Sequence, residues 1–264
     1  MFTQISRHSQ SCKRSAQRPC FFDLSRKPSS PFSQYARCAH PRCSPDPLIF
    51  TDPFSTENSY VLNLGQGRAL VIDPNLNDGI IKALGSIGVS EVIIALTHAH
   101  LDHICGIPRI KERFPSKIVC SAYCEKYLKE QSGKALSYMR AMLMMRDSRN
   151  HTDSLDGFTR NFIPFSARPD LSFVNYFVLR IGARGLRFIP IPGHSPSSCA
   201  IIFDDCLVFT GDSLFADRAV ITRFPGGNTN DYKTIALPFF LTLPKTMKAY
   251  PGHGRPFHLY QGLD

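Results

Sequence analysis

The stretch LTHAHLDHICG, residues 96–106, places three histidines and one aspartate within six positions, directly behind the apolar run EVIIAL. A run of that length bounded by polar residues reads as a buried strand, and the cluster begins at its C-terminal end. Ligands of α/β architectures collect beyond that end of a strand. In extended backbone His98 and His100, two apart, project to the same side. Asp102 and His103 follow where the helical pattern DHICGIPRIKERF begins, with Asp a favoured N-cap, so they approach the same space from a second direction. A chain of this composition meets His-x-His-x-Asp-His by chance on the order of once per thousand sequences. The pattern therefore points to a metal site rather than to solvated loop histidines.

The flanking sequence mixes strands with helices. SYVLNLG and RALVIDP read as a hairpin turned at Gly65 and Gly67. DGIIKALGSIG carries the apolar stripe of a short helix that Gly88 ends. SKIVCSA, YFVLRIG, LRFIPIPG, CAIIF, CLVFTGD and MKAYPG are further strands, and helices are expected around 102–114, 123–131 and 231–242. The class is α/β in the broad sense that includes α+β. In residues 123–160 Leu136, Met139, Met142 and Leu143 recur at helical spacing, which predicts a helical insertion. Its methionines either pack in a core or roof a pocket. Residues 48–264 are expected to form one domain, since 43% hydrophobic content suffices for a substantial core.

Residues 1–47 differ in kind. Eight Lys or Arg stand against one acid, Asp23, in the first 45 positions, in a Ser- and Pro-rich context without hydrophobic periodicity. Such a tail is expected to be disordered. It is compatible with an organelle transit peptide, and equally with an over-extended translation start. The remainder is nearly neutral and shows no basic, Gly-rich arm to engage phosphates, so no nucleic-acid partner is expected. The longest apolar runs are too short to cross a bilayer, so no membrane partner is expected either. Nine cysteines, an odd number without a secretory signal, indicate a reducing compartment. Cytoplasm is the expected location, with the mitochondrion or another organelle as the alternative if the tail is a targeting segment. Cys12, Cys20, Cys38 and Cys43 lie in the tail at spacings unlike a zinc knuckle. Cys105, Cys120, Cys124, Cys199 and Cys206 sit in or beside apolar segments and read as free thiols.

Six residues rarely complete a metal site, and three downstream side chains repeat the same signature. His194 in PGHSPSS, Asp212 in TGDSLF and His253 in PGHG each follow an apolar strand and neighbour glycine, which lets backbone pass close to an ion. Together with His98, His100, Asp102 and His103 they resemble the metallo-β-lactamase superfamily, and within it the glyoxalase II-like hydrolases. The likeness runs from about residue 48 to the C-terminus. It implies a four-layer αββα sandwich with the metal site along one edge of two packed sheets. It further implies one metal on His98, His100 and His194, a second on Asp102, His103 and His253, and Asp212 bridging them.

Imidazole and carboxylate donors without cysteine suit two Zn²⁺ per chain, and also admit Fe or Mn. The resemblance then implies a metal-dependent hydrolase whose bridging hydroxide attacks the carbonyl of a small thioester, lactone or related ester. Asp102 would take a secondary catalytic role in orienting that hydroxide or managing its proton. Ser195 and Ser213 lie outside any G-x-S-x-G elbow and are expected to serve by hydrogen bonding around the site.

Three departures bear on the substrate, which is expected to be a small molecule. Glyoxalase II enzymes carry a helical C-terminal domain that grips glutathione, whereas eleven residues follow His253 here. A loop commonly R-T-D-F-P-G-G reads ITRFPGG, with Ile221 at the Arg place and Arg223 at the Asp place. The insertion at 123–160 also supplies a possible pocket wall. The rivals within the same fold are an N-acyl-homoserine lactone hydrolase and a mononuclear iron sulfur (persulfide) dioxygenase using His98, His194 and Asp212. A β-lactamase, a tRNA-processing nuclease and a metal-stabilised interaction domain stand behind these.

Overall fold

The computed structural model describes residues 46–129, 133–150 and 152–262. The basic tail up to residue 45, with its four cysteines, lies outside the described residues. Ordered contacts begin slightly before the expected boundary, because the Asp46 carboxylate accepts hydrogen bonds from Lys248 Nζ and the Tyr250 hydroxyl, both at 2.6 Å.

Two six-stranded sheets form the centre. The first contains β1 (Leu48–Thr51), β2 (Asn58–Gly65), β3 (Arg68–Ile72), β4 (Glu91–Ala95), β5 (Ser116–Ser121) and β6 (Leu171–Phe173), hydrogen-bonded in that order. The second runs β12 (Phe257–His258), β11 (Lys248–Pro251), β10 (Leu207–Gly211), β9 (Cys199–Phe203), β8 (Arg184–Pro190), β7 (Phe177–Ile181). Alternation along each strand sends side chains to opposite faces, and here both faces are apolar. Val92 and Ile94 of β4 face helices, while Ile93 and Ala95 face the other sheet. In the second sheet Phe188, Ile201 and Phe209 enter the inter-sheet layer, and Ile189, Ile202 and Val208 face outward.

Each outer face is covered. On the first sheet lie α1 (Gly79–Ile87), α2 (Leu101–Ile104), α3 (Ile107–Arg113), α4 (Ala122–Lys129), α5 (Gly133–Asn150) and α6 (Ser154–Asn161). On the second lie α7 (Thr229–Asp231), a π-helical turn Tyr232–Ala236 and α8 (Leu237–Thr242), whose Phe239 and Phe240 are fully buried, and α9 (Leu259–Gly262) closes the described chain. The expected αββα sandwich is the fold. Among the described residues no helix is long and apolar enough to cross a membrane.

The hairpin β2–β3 turns through left-handed Gly65 and Gly67, and Gly88 in the left-handed region ends α1. Residues 122–161 contain three helices, α4 to α6. In the methionine stripe of α5, Met139 and Leu143 are buried against the first sheet's helix layer, and Met139 and Met142 also border a cavity, so one helix serves both alternatives. Four of the five described cysteines are buried and all five are free thiols.

One expectation needs correction. The helix expected from Asp102 onward is two helices, α2 and α3, and Asp102 caps neither. His100, in extended conformation, holds the N-cap position of α2, and Asp102 lies inside its first turn. The chain breaks at Gly106 because it passes against the β3–α1 loop there. Gly106 N–H donates to the Pro74 carbonyl at 2.8 Å, and a Cβ at this position would stand 2.1 Å from the Asn75 oxygen.

Candidate metal centre

Parallel pairing gathers the site. β3, β4 and β5 run parallel, so their C-terminal ends lie side by side, and in the second sheet β10 and β11 do the same. Asp73 and the 97–103 loop leave the first set, while Asp212 and His253 leave the second. Backbone bonds from Asn58 N–H to the Gly252 carbonyl (2.7 Å) and from Cys199 N–H to the Thr97 carbonyl (2.8 Å) join the two sheets at this edge. His194 comes from the loop between β8 and β9.

All seven side chains singled out in the sequence meet here. His98 Nε2 and His194 Nε2 stand 3.1 and 3.0 Å from His100 Nδ1. Nitrogens sharing a tetrahedral zinc, each about 2.0–2.1 Å from it, would be separated by roughly 3.3 Å. These three histidines and Asp212 offer donor atoms within 4.8 Å of one another, and so do Asp102, His103 and His253. Asp212 lies between the groups. Its Oδ1 is 3.5 Å from His103 Nε2, and its Oδ2 is 3.6 Å from His194 Nε2 and 3.7 Å from His253 Nε2. His253 Nε2 is 3.4 Å from Asp102 Oδ2.

The far nitrogens of three rings are fixed from behind. The Ile221 carbonyl accepts from His194 Nδ1 at 2.7 Å, Thr97 Oγ1 lies 3.1 Å from His98 Nδ1, and Asp73 Oδ2 accepts from His103 Nδ1 at 2.9 Å. Such partners set the tautomer and aim the opposite lone pair inward. For His103 the aim ends on nothing: its Nε2 and Asp212 Oδ1 are both buried and without a hydrogen-bond partner. Facing each other at 3.5 Å in a buried place, the two atoms need a proton or a metal ion between them. The donor set therefore fits divalent metal.

Electrostatics divides the cluster. Burial pushes the imidazolium forms of His98, His100 and His194 down, His100 to about 4 and His98 well below its ordinary range, which leaves their lone pairs open. Burial also works against a charged His103 or His253, but Asp212 and Asp102 outweigh it and raise both. Burial would raise the two aspartates, yet His103 and His253 hold Asp102 down to about 2 and Asp212 well below the carboxylate range. Protons on His103 and His253 thus occupy places that metal would take.

Glycine makes the approach of β11 possible. A Cβ on Gly252 would lie 2.2 Å from Asp212 Oδ1 and 2.6 Å from His103 Cε1. Gly252→Ala is expected to displace both donors and to lower metal affinity by an amount comparable to the roughly 10–100-fold that follows loss of an outer support. Metal content after dialysis, measured beside the urea midpoint, checks it; retained metal at an unchanged midpoint would refute the close approach.

Ser195 hydrogen-bonds around the site, as expected. Its hydroxyl bonds Ser197 and Ser198, each at 3.0 Å, while Ser197 Oγ accepts from Ala99 N–H at 3.1 Å. It braces the 194–199 loop against the histidine loop rather than supporting a metal donor directly. Asp73, Glu57, Thr97 and Phe224 went unremarked in the sequence. Asp73 carried a usable signal, because it follows an apolar strand as Asp212 does. Phe224 lies in the ITRFPGG loop already singled out for the substrate, and its ring packs edge-on to His100, His194 and Tyr138.

Known proteins resemble this chain in sequence and fold. A protein named "Probable metallo-hydrolase M6_Spy0554" from Streptococcus pyogenes is 32% identical over 206 residues, covering 75% of this chain and 79% of that one. A hydroxyacylglutathione hydrolase of Xylella fastidiosa is 31% identical over 164 residues, 61% of this chain but 47% of the relative. The solved structure of TTHA1623 in a di-iron-bound form superimposes with a TM-score of 0.62 at 22% identity, over 81% of this chain and 95% of that one. Residues 52–253 match the metallo-beta-lactamase superfamily, and the chain belongs to that superfamily.

Proposed function

We propose that this protein is a binuclear metallohydrolase acting on a small thioester, lactone or related ester. The observation that carries the reading is the pair of unpartnered buried acceptors, His103 Nε2 and Asp212 Oδ1, set between two groups of converging donors. His98, His100 and His194 would hold one ion, Asp102, His103 and His253 the other, and Asp212 both. When bound, the ions supply the Lewis acidity that activates water near neutral pH and polarises a carbonyl. Imidazole and carboxylate suit Zn²⁺, while Fe or Mn satisfies the same donors.

The protein's own groups do the rest. Asp73, Thr97 and the Ile221 carbonyl keep three imidazoles in the tautomers that point lone pairs inward. Asp102 borders the cavity beside the centre and stands 3.4 Å from His253 Nε2, which supports giving its carboxylate the role of orienting an attacking water and taking its proton. No serine or cysteine nucleophile is required, since Ser195 is spent on its neighbours. The second donor group, Asp102, His103 and His253, favours a hydrolase over a mononuclear dioxygenase, which would use only His98, His194 and Asp212. Elemental analysis with a panel of thioesters, lactones and β-lactams tests the reading. Two ions per chain with ester cleavage support it; one iron with oxygen uptake on a persulfide overturns it.

A further inference from the structure

A cavity of about 840 Å³ opens directly on the metal centre, with His100, Asp102, Asp212 and His253 on its inner wall. The rest of its boundary has a different character. Tyr138, Met139, Ala141 and Met142 of α5 face Pro196 and Phe224 across it, and no Lys or Arg is among its described lining residues. Phe224 joins the two ends, with its ring centroid 5.6 Å from that of His194 and 5.4 Å from that of Tyr138. The serines on this side have partners of their own, while Tyr127 and Tyr138 add uncharged phenol hydroxyls to the lining. The Ser195 and Ser197 hydroxyls bond each other, Ser198 and Ala99 N–H, and Ser137 also has an interaction.

We infer that this cavity receives an uncharged, elongated apolar arm of the substrate, so that the ester or thioester cleaved carries an alkyl acyl chain rather than an anionic or peptidic group. The inference rests on the hydrolase reading and names its substrate class. A charged arm would lose its hydration against methionine, alanine and phenylalanine, with uncharged phenol hydroxyls and no Lys or Arg to meet it. An alkyl chain would bury each methylene there at a gain, and the flexible Met139 and Met142 side chains adapt to its course. The ester carbonyl then lies at the inner wall, beside Asp102.

The test is a series of acyl thioesters with one constant leaving group, acetyl through dodecanoyl, together with the succinyl thioester and a glutathione thioester, assayed on the metal-loaded protein. kcat/KM is expected to rise roughly 2- to 4-fold per added methylene until the cavity is filled, with the succinyl compound far below its apolar counterpart. Met142→Arg is expected to lower the decanoyl-to-succinyl ratio by at least about tenfold. Calorimetric titration with uncharged alkyl amides gives a readout independent of turnover: affinity should rise with chain length, with a negative heat-capacity change. Cleavage independent of chain length, or a preference for the succinyl or glutathione thioester, overturns the inference while the hydrolase reading survives. Failure to cleave any member, on protein with full metal content that also leaves lactones and esters intact, removes both.

Discussion

Asp212→Ala is expected to lower turnover by roughly 10³-fold, because one side chain serves both halves of the centre and each tenfold corresponds to about 1.4 kcal/mol of a several-kcal/mol electrostatic contribution. The carboxylate reaches His103, His194 and His253 from its two oxygens. Alanine leaves His103 Nε2 with no counterpart, so metal content should fall to one ion per chain or fewer. Asp212→Asn separates charge from shape: it keeps one oxygen and the volume but removes the negative charge, and should also lose an ion. Turnover and metal content near the parent values in either variant would refute the bridging role.

The second large effect lies one step behind the metal. Asp73 is buried, accepts from Thr97 N–H at 2.7 Å through Oδ1, and accepts from Thr97 Oγ1 and His103 Nδ1 through Oδ2. Asp73→Asn must keep its oxygen toward the backbone N–H, which cannot change from donor to acceptor. Its amide NH₂ then faces Thr97 Oγ1, which can rotate to accept, and His103 Nδ1, which must also accept. That moves the imidazole proton to Nε2, the atom aimed at Asp212. Metal affinity should drop by about 10–100-fold or more while the fold persists. Asp73→Ala instead strands the donors altogether and should cost about 2–4 kcal/mol of stability. Equilibrium dialysis beside urea denaturation distinguishes the two losses; an Asn variant with parent metal affinity would show that the His103 tautomer is not set by Asp73.

Much of the site was legible because its densest part is local. His98, His100, Asp102 and His103 arise from one loop, where spacing of two and the strand's end already dictate direction. His194, Asp212 and His253 carried a weaker signature, polar residues beside glycine after apolar strands, and only the resemblance assigned their partners. Strand positions followed from apolar alternation, but sheet order did not, since pairing β10 with β11 spans the whole segment from Asp212 to Lys248. The cap assigned to Asp102 failed because a favoured local role yielded to a longer-range one: its carboxylate faces His253 rather than a backbone amide. The support for His194 left no trace at all, for it comes from a main-chain carbonyl. The bond to His194 is therefore indifferent to the side chain at position 221.

Because four of the seven donors follow β4 of one sheet and the other three belong to the second sheet and its loops, strand alignment becomes a tolerance on chemistry. Sliding β11 by a single residue along β10 would carry His253 about 3.3 Å from its place, farther than the roughly 2.1 Å length of a zinc–imidazole bond. Variation in chain length is therefore affordable only away from this seam. The helices of residues 122–161 leave β5 and return at β6, at the opposite margin of the first sheet from β1, and can vary in length only where they do not touch α2, against which α5 packs and which carries Asp102 and His103.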